Sequence, residues 1–253
     1  MMNRSDLGNI IHPFILTLGQ KEKDYLQHII LLYIFKHSDD SLIFKGGTCM
    51  QKVYGLNRFS EDLDFTINRE IDEEKLVAKV VKGLRYHGFP SEIEIKKHGI
   101  NTGIRFLIHG PLYVGTRRSM CSLKMDVSRR EKIIMDSESI TVYPIYDEIF
   151  PYLALCMNKM EILSEKIRGI MTRDTTRDLY DLFFLIKKGV EPDMNMVNEK
   201  LKFYDMMFEM TRFETAIGKR GTTWGREIRK YSSFSLDFGE VSHTVIGSVK
   251  EAL

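Results

Sequence analysis

Three aspartates carry the chemistry this sequence offers most plainly. Asp62 and Asp64 stand two apart in RFSEDLDF, and Asp126 stands in LKMDVS. Both stretches alternate apolar and polar residues and read as strands, where residues two apart share a face. Two carboxylates side by side repel unless a cation lies between them. Mg²⁺ takes oxygen ligands and commonly bridges carboxylates to substrate phosphates. Three strand carboxylates around one or two such ions would suit in-line transfer of a nucleotidyl group. Asp126 would also suit the base that accepts the proton of an attacking hydroxyl. A solvated strand edge is the plainer reading of a lone D-x-D pair.

Upstream of the acid pair lies a glycine turn, Gly46-Gly47-Thr48, between the strand SLIF and a short helix that ends at Gly55. Glycine admits positive φ and close backbone approach. Amides freed at the start of a helix favour anions, and a triphosphate is the fitting guest. Most glycine pairs are ordinary turns; the aspartates that follow give this one its weight. Lys124, two before Asp126, shares its face. Arg58 and Ser60 precede the acid pair and either reach phosphate or belong to a surface loop. Arg117, Arg118, Arg129, Arg130 and Lys132 bracket the Asp126 strand. Such a rim suits an RNA acceptor, or it is the solvated end of a strand. Cys49, Tyr54 and Phe59 read as core, and the seven histidines share no metal-like spacing.

The elements that must position these groups are legible in outline. Residues 21–36 have helical apolar spacing, and EEKLVAKVVKGLRYHG is an amphipathic helix closed by Gly88. SEIEIKK, GIRFLIHG and SLKMDVSR are further strands, which predicts a mostly antiparallel sheet in the first part of the chain. Residues 149–188 read as helical with a break near RDTT, and 201–219 as another helix. RGTTWGREIRKYSSFSLDFGE reads as loops or a short strand. A soft boundary falls at 144–151, giving a core over 1–148 that holds the metal and NTP, and a mainly helical part over 149–253 that completes the cleft.

Composition bounds the class. The chain has 253 residues, a formal net charge of +2 and 28% charged residues, so bulk charge alone does not call for nucleic acid. Three scattered cysteines fit reduced thiols in a cytoplasm. IILLYIF is too short to span a bilayer, and the N-terminal stretch does not read as a signal peptide.

Two helical stretches also carry charge. Ile162, Lys166 and Ile170 step by four, which draws Lys166 onto an apolar stripe. It either snorkels, pairs with Glu161 or Glu165, or meets an anion such as a nucleotide phosphate. In RDLYDLFFLI, Asp178 and Asp181 lie on a helix apolar around much of its circumference, so both need partners. They form a buried ion-pair network that docks this helix, or they read the nucleotide or orient Lys166, or both.

Taken in order, GGT with RFSEDLDF, the K-x-D of Lys124 and Asp126, SEKIRGI with Glu165 and Lys166, and RDLYDL with Arg177, Asp178 and Asp181 resemble the four motifs of the AbiEii/AbiGii-type toxin family. That family lies within the polymerase-β-like nucleotidyltransferases and supplies the toxins of type IV toxin–antitoxin systems. The set covers residues 44–185; Gly169 stands where the family usually has Ala, which should matter little. The resemblance implies an α/β fold, a mixed sheet with flanking helices followed by a helical part. It implies Asp62, Asp64 and Asp126 as Mg²⁺ ligands, Gly46, Gly47, Thr48, Lys124, Arg58 and Ser60 at the nucleotide, and Lys166, Asp178 and Asp181 in the catalytic set. The expected reaction moves an NMP from an NTP to an acceptor hydroxyl, at the 3′ end of a tRNA, with a cognate antitoxin as partner. Two alternatives stay open: transfer to a small molecule or protein side chain, and a non-catalytic nucleotide-binding module. The intact acid set argues against the last.

Overall fold

The structure, a computed structural model, describes residues 2–130, 132–229 and 236–253. The fold is mixed α/β and divides into two compact units. The first comprises Met1–Arg130 and Ser137–Cys156; the second comprises Glu131–Asp136 and Met157–Leu253.

The first unit holds a seven-stranded sheet. In chain order its strands are β1 (Leu42–Lys45), β2 (Leu63–Ile67), β3 (Ser91–His98), β4 (Asn101–Ile108), β5 (Cys121–Ser128), β6 (Glu138–Val142) and β7 (Tyr152–Cys156). Their order across the sheet is β3-β4-β5-β2-β1-β7-β6. Most neighbours run antiparallel, but β2 lies parallel to β5 and β1 parallel to β7. Helices α1 (Arg4–Asn9), α2 (Leu18–His37), α3 (Gly46–Lys52) and α4 (Glu73–Tyr86) complete the unit.

Alternation on the strands decides which face is covered. On β5, Leu123, Met125 and Val127 are buried while Ser122 and Lys124 are exposed. On β2, Leu63 and Phe65 are buried beside the half-buried Asp64. The apolar face lies under α2 and α4, with Phe35 of α2 set against Phe44 and Phe65. Asp64 and Asp126, one residue out of phase with those apolar residues, point to the opposite face.

The second unit is helical: α5 (Lys159–Thr172), α6 (Thr176–Lys187), α7 (Met194–Lys202), α8 (Met210–Arg220), α9 (Trp224–Ile228) and α10 (Phe238–Glu251). Three expectations change here. The helix read from residue 149 begins only at Lys159, because Tyr152–Cys156 is a strand whose Tyr152, Ala154 and Cys156 are buried. A short apolar run does not separate the two by periodicity. The helix read over 201–219 is broken after α7, where Asp205 takes a left-handed backbone at φ 53°, and resumes as α8. The stretch read as loop or strand after Arg220 contains α9 and the start of α10; its residues 230–235 lie outside the described residues.

Candidate active site

Strand register assembles the acids. Asp64 on β2 is directly opposite Asp126 on its parallel neighbour β5. The same cross-strand row continues to Lys45 on β1 and, past Asp126, to Gly103 on β4 and Lys96 on β3. Residues in register project to one face, so two carboxylates stand together between two lysine positions on the uncovered face. Lys124 Nζ is 4.0 Å from Asp126 Oδ2, and both side chains are about half exposed, at 52% and 48%. A shallow cavity of ≈ 60 Å³ beside Asp126 is lined by Lys96, His98, Gly103, Arg105 and Lys124, among others.

Asp62 lies just before β2, and its carbonyl accepts a hydrogen bond from the buried hydroxyl of Thr48. That bond ties the acid loop to the first turn of α3. The glycines of the turn are explained by the protein's own side chains. Gly46 has φ 74°, and a Cβ there would lie 2.4 Å from Asp64 Oδ2. A Cβ on Gly47 would lie 2.6 Å from Arg58 Nη2 and 2.7 Å from Ser60 Oγ. The left-handed backbone at Gly46 favours glycine, and a side chain at either position would press on Asp64 or on the Arg58–Ser60 loop. Arg58 and Ser60 are buried, so the surface-loop reading of that pair gives way to one in which they pack on the turn.

Sequence reasoning missed what holds the loop. Gln27 Nε2 of α2 donates to the carbonyls of Ser60 (3.0 Å) and Glu61 (2.8 Å). Gln51 Oε1 of α3 accepts from Ser60 N at 2.8 Å, while its Nε2 donates to Asp24 Oδ1 at 3.1 Å. Asp24, buried in α2, also accepts from Lys52 Nζ (2.9 Å) and the Tyr146 hydroxyl (2.8 Å). Burial works to raise the Asp24 carboxyl, but Lys52, His12 and His28 outweigh it and hold it well below the usual carboxylate range. A helix read only for its apolar residues thus carries the polar groups that fix the acid loop.

The donor chemistry fits a hard divalent cation. The acids offer only oxygen, and Asp64 is aimed into the space that a Cβ on Gly46 would fill. Among the described residues no group of three or more His, Cys, Asp or Glu is gathered closely enough to hold a metal. What the fold brings together is the pair Asp64 and Asp126, with Asp62 adjoining.

The second unit contains a different charge cluster. Lys166 Nζ on α5 meets Asp181 Oδ2 at 2.7 Å and Asp178 Oδ1 at 3.0 Å, both on α6. Arg173 binds Asp178 in a fork, Nε to Oδ2 at 2.7 Å and Nη2 to Oδ1 at 2.9 Å, and the Thr175 hydroxyl donates to the same carboxylate. Burial alone would raise the Asp178 carboxyl; Lys166 and Arg173 outweigh it and hold it below its ordinary range. A Cβ on Gly169 would lie 3.1 Å from Asp178 Oδ2 and 3.3 Å from Arg173 Nε, a contact that a shift of a few tenths of an ångström would relieve.

Glu161 and Glu165, the neighbours weighed as partners for Lys166, also engage a second lysine. Those glutamates meet Lys200 of α7, at 2.5 and 3.5 Å, and Glu161 also accepts from the backbone of Ile134 and Met135. Arg220 of α8 is buried and donates to the carbonyls of Ile170 (3.2 Å), Arg173 (2.6 Å) and Thr175 (3.1 Å), and to that of Ala216 in its own helix. It fixes the connection that presents Arg173 and Thr175 to Asp178. The only sequence signal for Lys200 or Arg220 was a charge near the end of an amphipathic helix.

The basic rim around Asp126 is partly engaged by acids. Arg129 pairs with Glu73 at 2.7 Å, and Arg117 lies 3.5 Å from Glu94 and 3.6 Å from Glu92.

Comparisons place this geometry in context. A family model described as "Nucleotidyl transferase AbiEii toxin, Type IV TA system" matches residues 30–241. No protein of curated function matches the sequence. The structure is similar to that of MenT4, a nucleotidyltransferase toxin from Mycobacterium tuberculosis, with TM-score 0.68 and 20% identity over 98% of this chain and 88% of that one. It is also similar to JHP933 from Helicobacter pylori, with TM-score 0.60 and 19% identity over 94% of this chain and 93% of that one. At these identities the two structures speak to the fold.

Proposed function

The chain belongs to the AbiEii nucleotidyltransferase toxin family of type IV toxin–antitoxin systems, and from that premise we propose that it moves an NMP from an NTP to a hydroxyl of RNA, at the 3′ end of a tRNA. The observation that carries the reading is the register of Asp64 against Asp126 on the uncovered face of the sheet. Asp62, Asp64 and Asp126 would hold Mg²⁺, which when bound neutralises charge on the α-phosphate and on departing pyrophosphate.

The chain's own groups have separate tasks. Asp126, half exposed, accepts the proton of the attacking hydroxyl as its oxygen bonds to the α-phosphorus. The bond from that phosphorus to pyrophosphate breaks, and pyrophosphate leaves. Lys124 and the turn at Gly46, Gly47 and Thr48 offer positive charge and backbone N–H groups to the phosphates. Arg58 and Ser60 support that turn from beneath. Lys166, Asp178 and Asp181 hold α5 against α6; a direct role for Lys166 at a phosphate would require it to leave two carboxylates. Within a toxin–antitoxin pair, the partner that restrains the activity is a cognate antitoxin.

The test is transfer of label. Purified protein is incubated with each α-³²P NTP, Mg²⁺ and total tRNA, beside an Asp62→Ala/Asp64→Ala variant. Label entering RNA with wild type alone supports the reading. Mg²⁺-dependent NTP binding without transfer to RNA moves the acceptor to a small molecule or protein, a result the acid-paired Arg117 and Arg129 would make intelligible. Loss of all NTP binding would overturn the enzymatic assignment of these residues.

A further inference from the structure

The first unit carries a second cleft, of ≈ 800 Å³, in its helical layer. It opens between α2 and α4, the helices that cover the face of the sheet opposite Asp64 and Asp126. The cleft is therefore separate from the acid row.

Its lining combines cations with rings. Lys36, Lys79 and Lys82 contribute three ammonium groups, and among the described residues none of them forms an ion pair with a carboxylate. Tyr33 lies across Gly83, where a Cβ would meet its ring at 2.3 Å, so the floor is shaped by a ring pressed on a helix backbone. Tyr86 and Phe150 stand at the mouth, 83% and 79% exposed. One acid, Glu148, also lines the cleft, and it accepts a hydrogen bond from the Tyr25 hydroxyl at 2.8 Å. Burial, then the ammonium groups of Lys79 and Lys36, hold His37 below its ordinary range against the opposing pull of Asp39.

Lys36 Nζ already lies 5.9 Å from the Tyr33 ring centroid, and large rings left in water beside ammonium groups without a carboxylate partner match one ligand chemistry: a planar base carrying phosphate. Aromatic side chains stack bases without sequence preference, and lysines track the phosphates. A cavity of this volume admits more than an inorganic anion. We propose that the α2–α4 cleft is a non-catalytic binding site for nucleotide units of a single-stranded RNA segment. Binding there is independent of phosphoryl chemistry, so it is measured without NTP or Mg²⁺, and failure of the transfer reading would leave it standing.

The experiment is fluorescence anisotropy with a labelled single-stranded oligoribonucleotide of about ten nucleotides, a length within the span of single-strand sites. Lys79→Ala/Lys82→Ala should weaken binding and lower the slope of log K against log salt by about one or two. Tyr86→Ala keeps the charge and should weaken binding by about tenfold through lost stacking. All these side chains are on the helix surface, and circular dichroism of each variant confirms its fold. Full competition by ATP, with the same sensitivity to the variants, would retain the site and identify a free nucleotide as its ligand. Binding untouched by all the variants, or lowered by the lysine changes but not by Tyr86→Ala, would overturn the proposal.

Discussion

The two units use aspartate in opposite ways. In the sheet, the Asp126 side chain is 48% exposed, with Lys124 Nζ 4.0 Å away. In the helical unit, Asp178 and Asp181 have side chains 4% and 0% exposed, and each is in direct contact with Lys166. A buried carboxylate already paired with a buried ammonium holds helices together and has little left to offer a ligand. Asp126, half exposed and set by strand register opposite Asp64, stands where solvent and a ligand can reach it. On the proposed function, the difference separates residues that position from residues that react, although the sequence presents both as pairs of acids near a lysine.

That contrast can be broken at several points. Lys166→Met would leave two carboxylates buried without their ammonium and should destabilise the protein by about 3–5 kcal/mol in chemical denaturation. A cost under about 1 kcal/mol would mean the cluster is open to water. Arg220→Met removes donors from the carbonyls of Ile170, Arg173 and Thr175 and should cost about 1.5–3 kcal/mol. Gly46→Ala puts a methyl against Asp64 in a left-handed backbone. It should cost about 1–2 kcal/mol in stability yet lower transfer far more than that, since it displaces a reacting carboxylate; equal losses would make the turn merely structural.

The smallest effect is on acid stability. Asp178 titrates below its unfolded value near 3.9, so its contribution is complete above that value and is lost only as pH falls through the lower native one. His28 has the opposite consequence at milder pH. Burial, then Lys52, push its pKa down to about 3 against the pull of Asp24. Below about 6.5 the unfolded chain takes up a proton that the native imidazole refuses, so stability declines as pH falls from there toward about 3. A series of melts should show that decline in wild type and a shallower one in His28→Gln.

Much of the face that carries Asp64 and Asp126 was readable before the fold was known. Alternation around Asp64 and Asp126 set both on strands, and period 2 fixed the face each would take. The parallel pairing of β2 with β5, which puts them opposite each other, is a long-range fact that no local pattern contains. Arg58 and Ser60 were read as reaching phosphate or as surface loop, and their burial went unseen because packing against a neighbouring glycine leaves no periodic trace. Asp24, Gln27 and Gln51 were hidden by the apolar spacing of the helices that carry them. Lys166 was rightly placed on a buried stripe, but its partners lie across a helix–helix contact that spacing within α5 cannot reveal. Strand β7 was read as helix because YLALC is apolar on both faces.

The central claim is that the half-exposed acids of the sheet react while the buried acids of the helices hold structure. Steady-state transfer from labelled NTP by Asp126→Asn, measured beside its thermal melt, tests it most directly. The account predicts a loss of roughly 10²- to 10⁴-fold in transfer with a melting curve like that of the wild type. Transfer near the wild-type rate in a folded Asp126→Asn protein would contradict it.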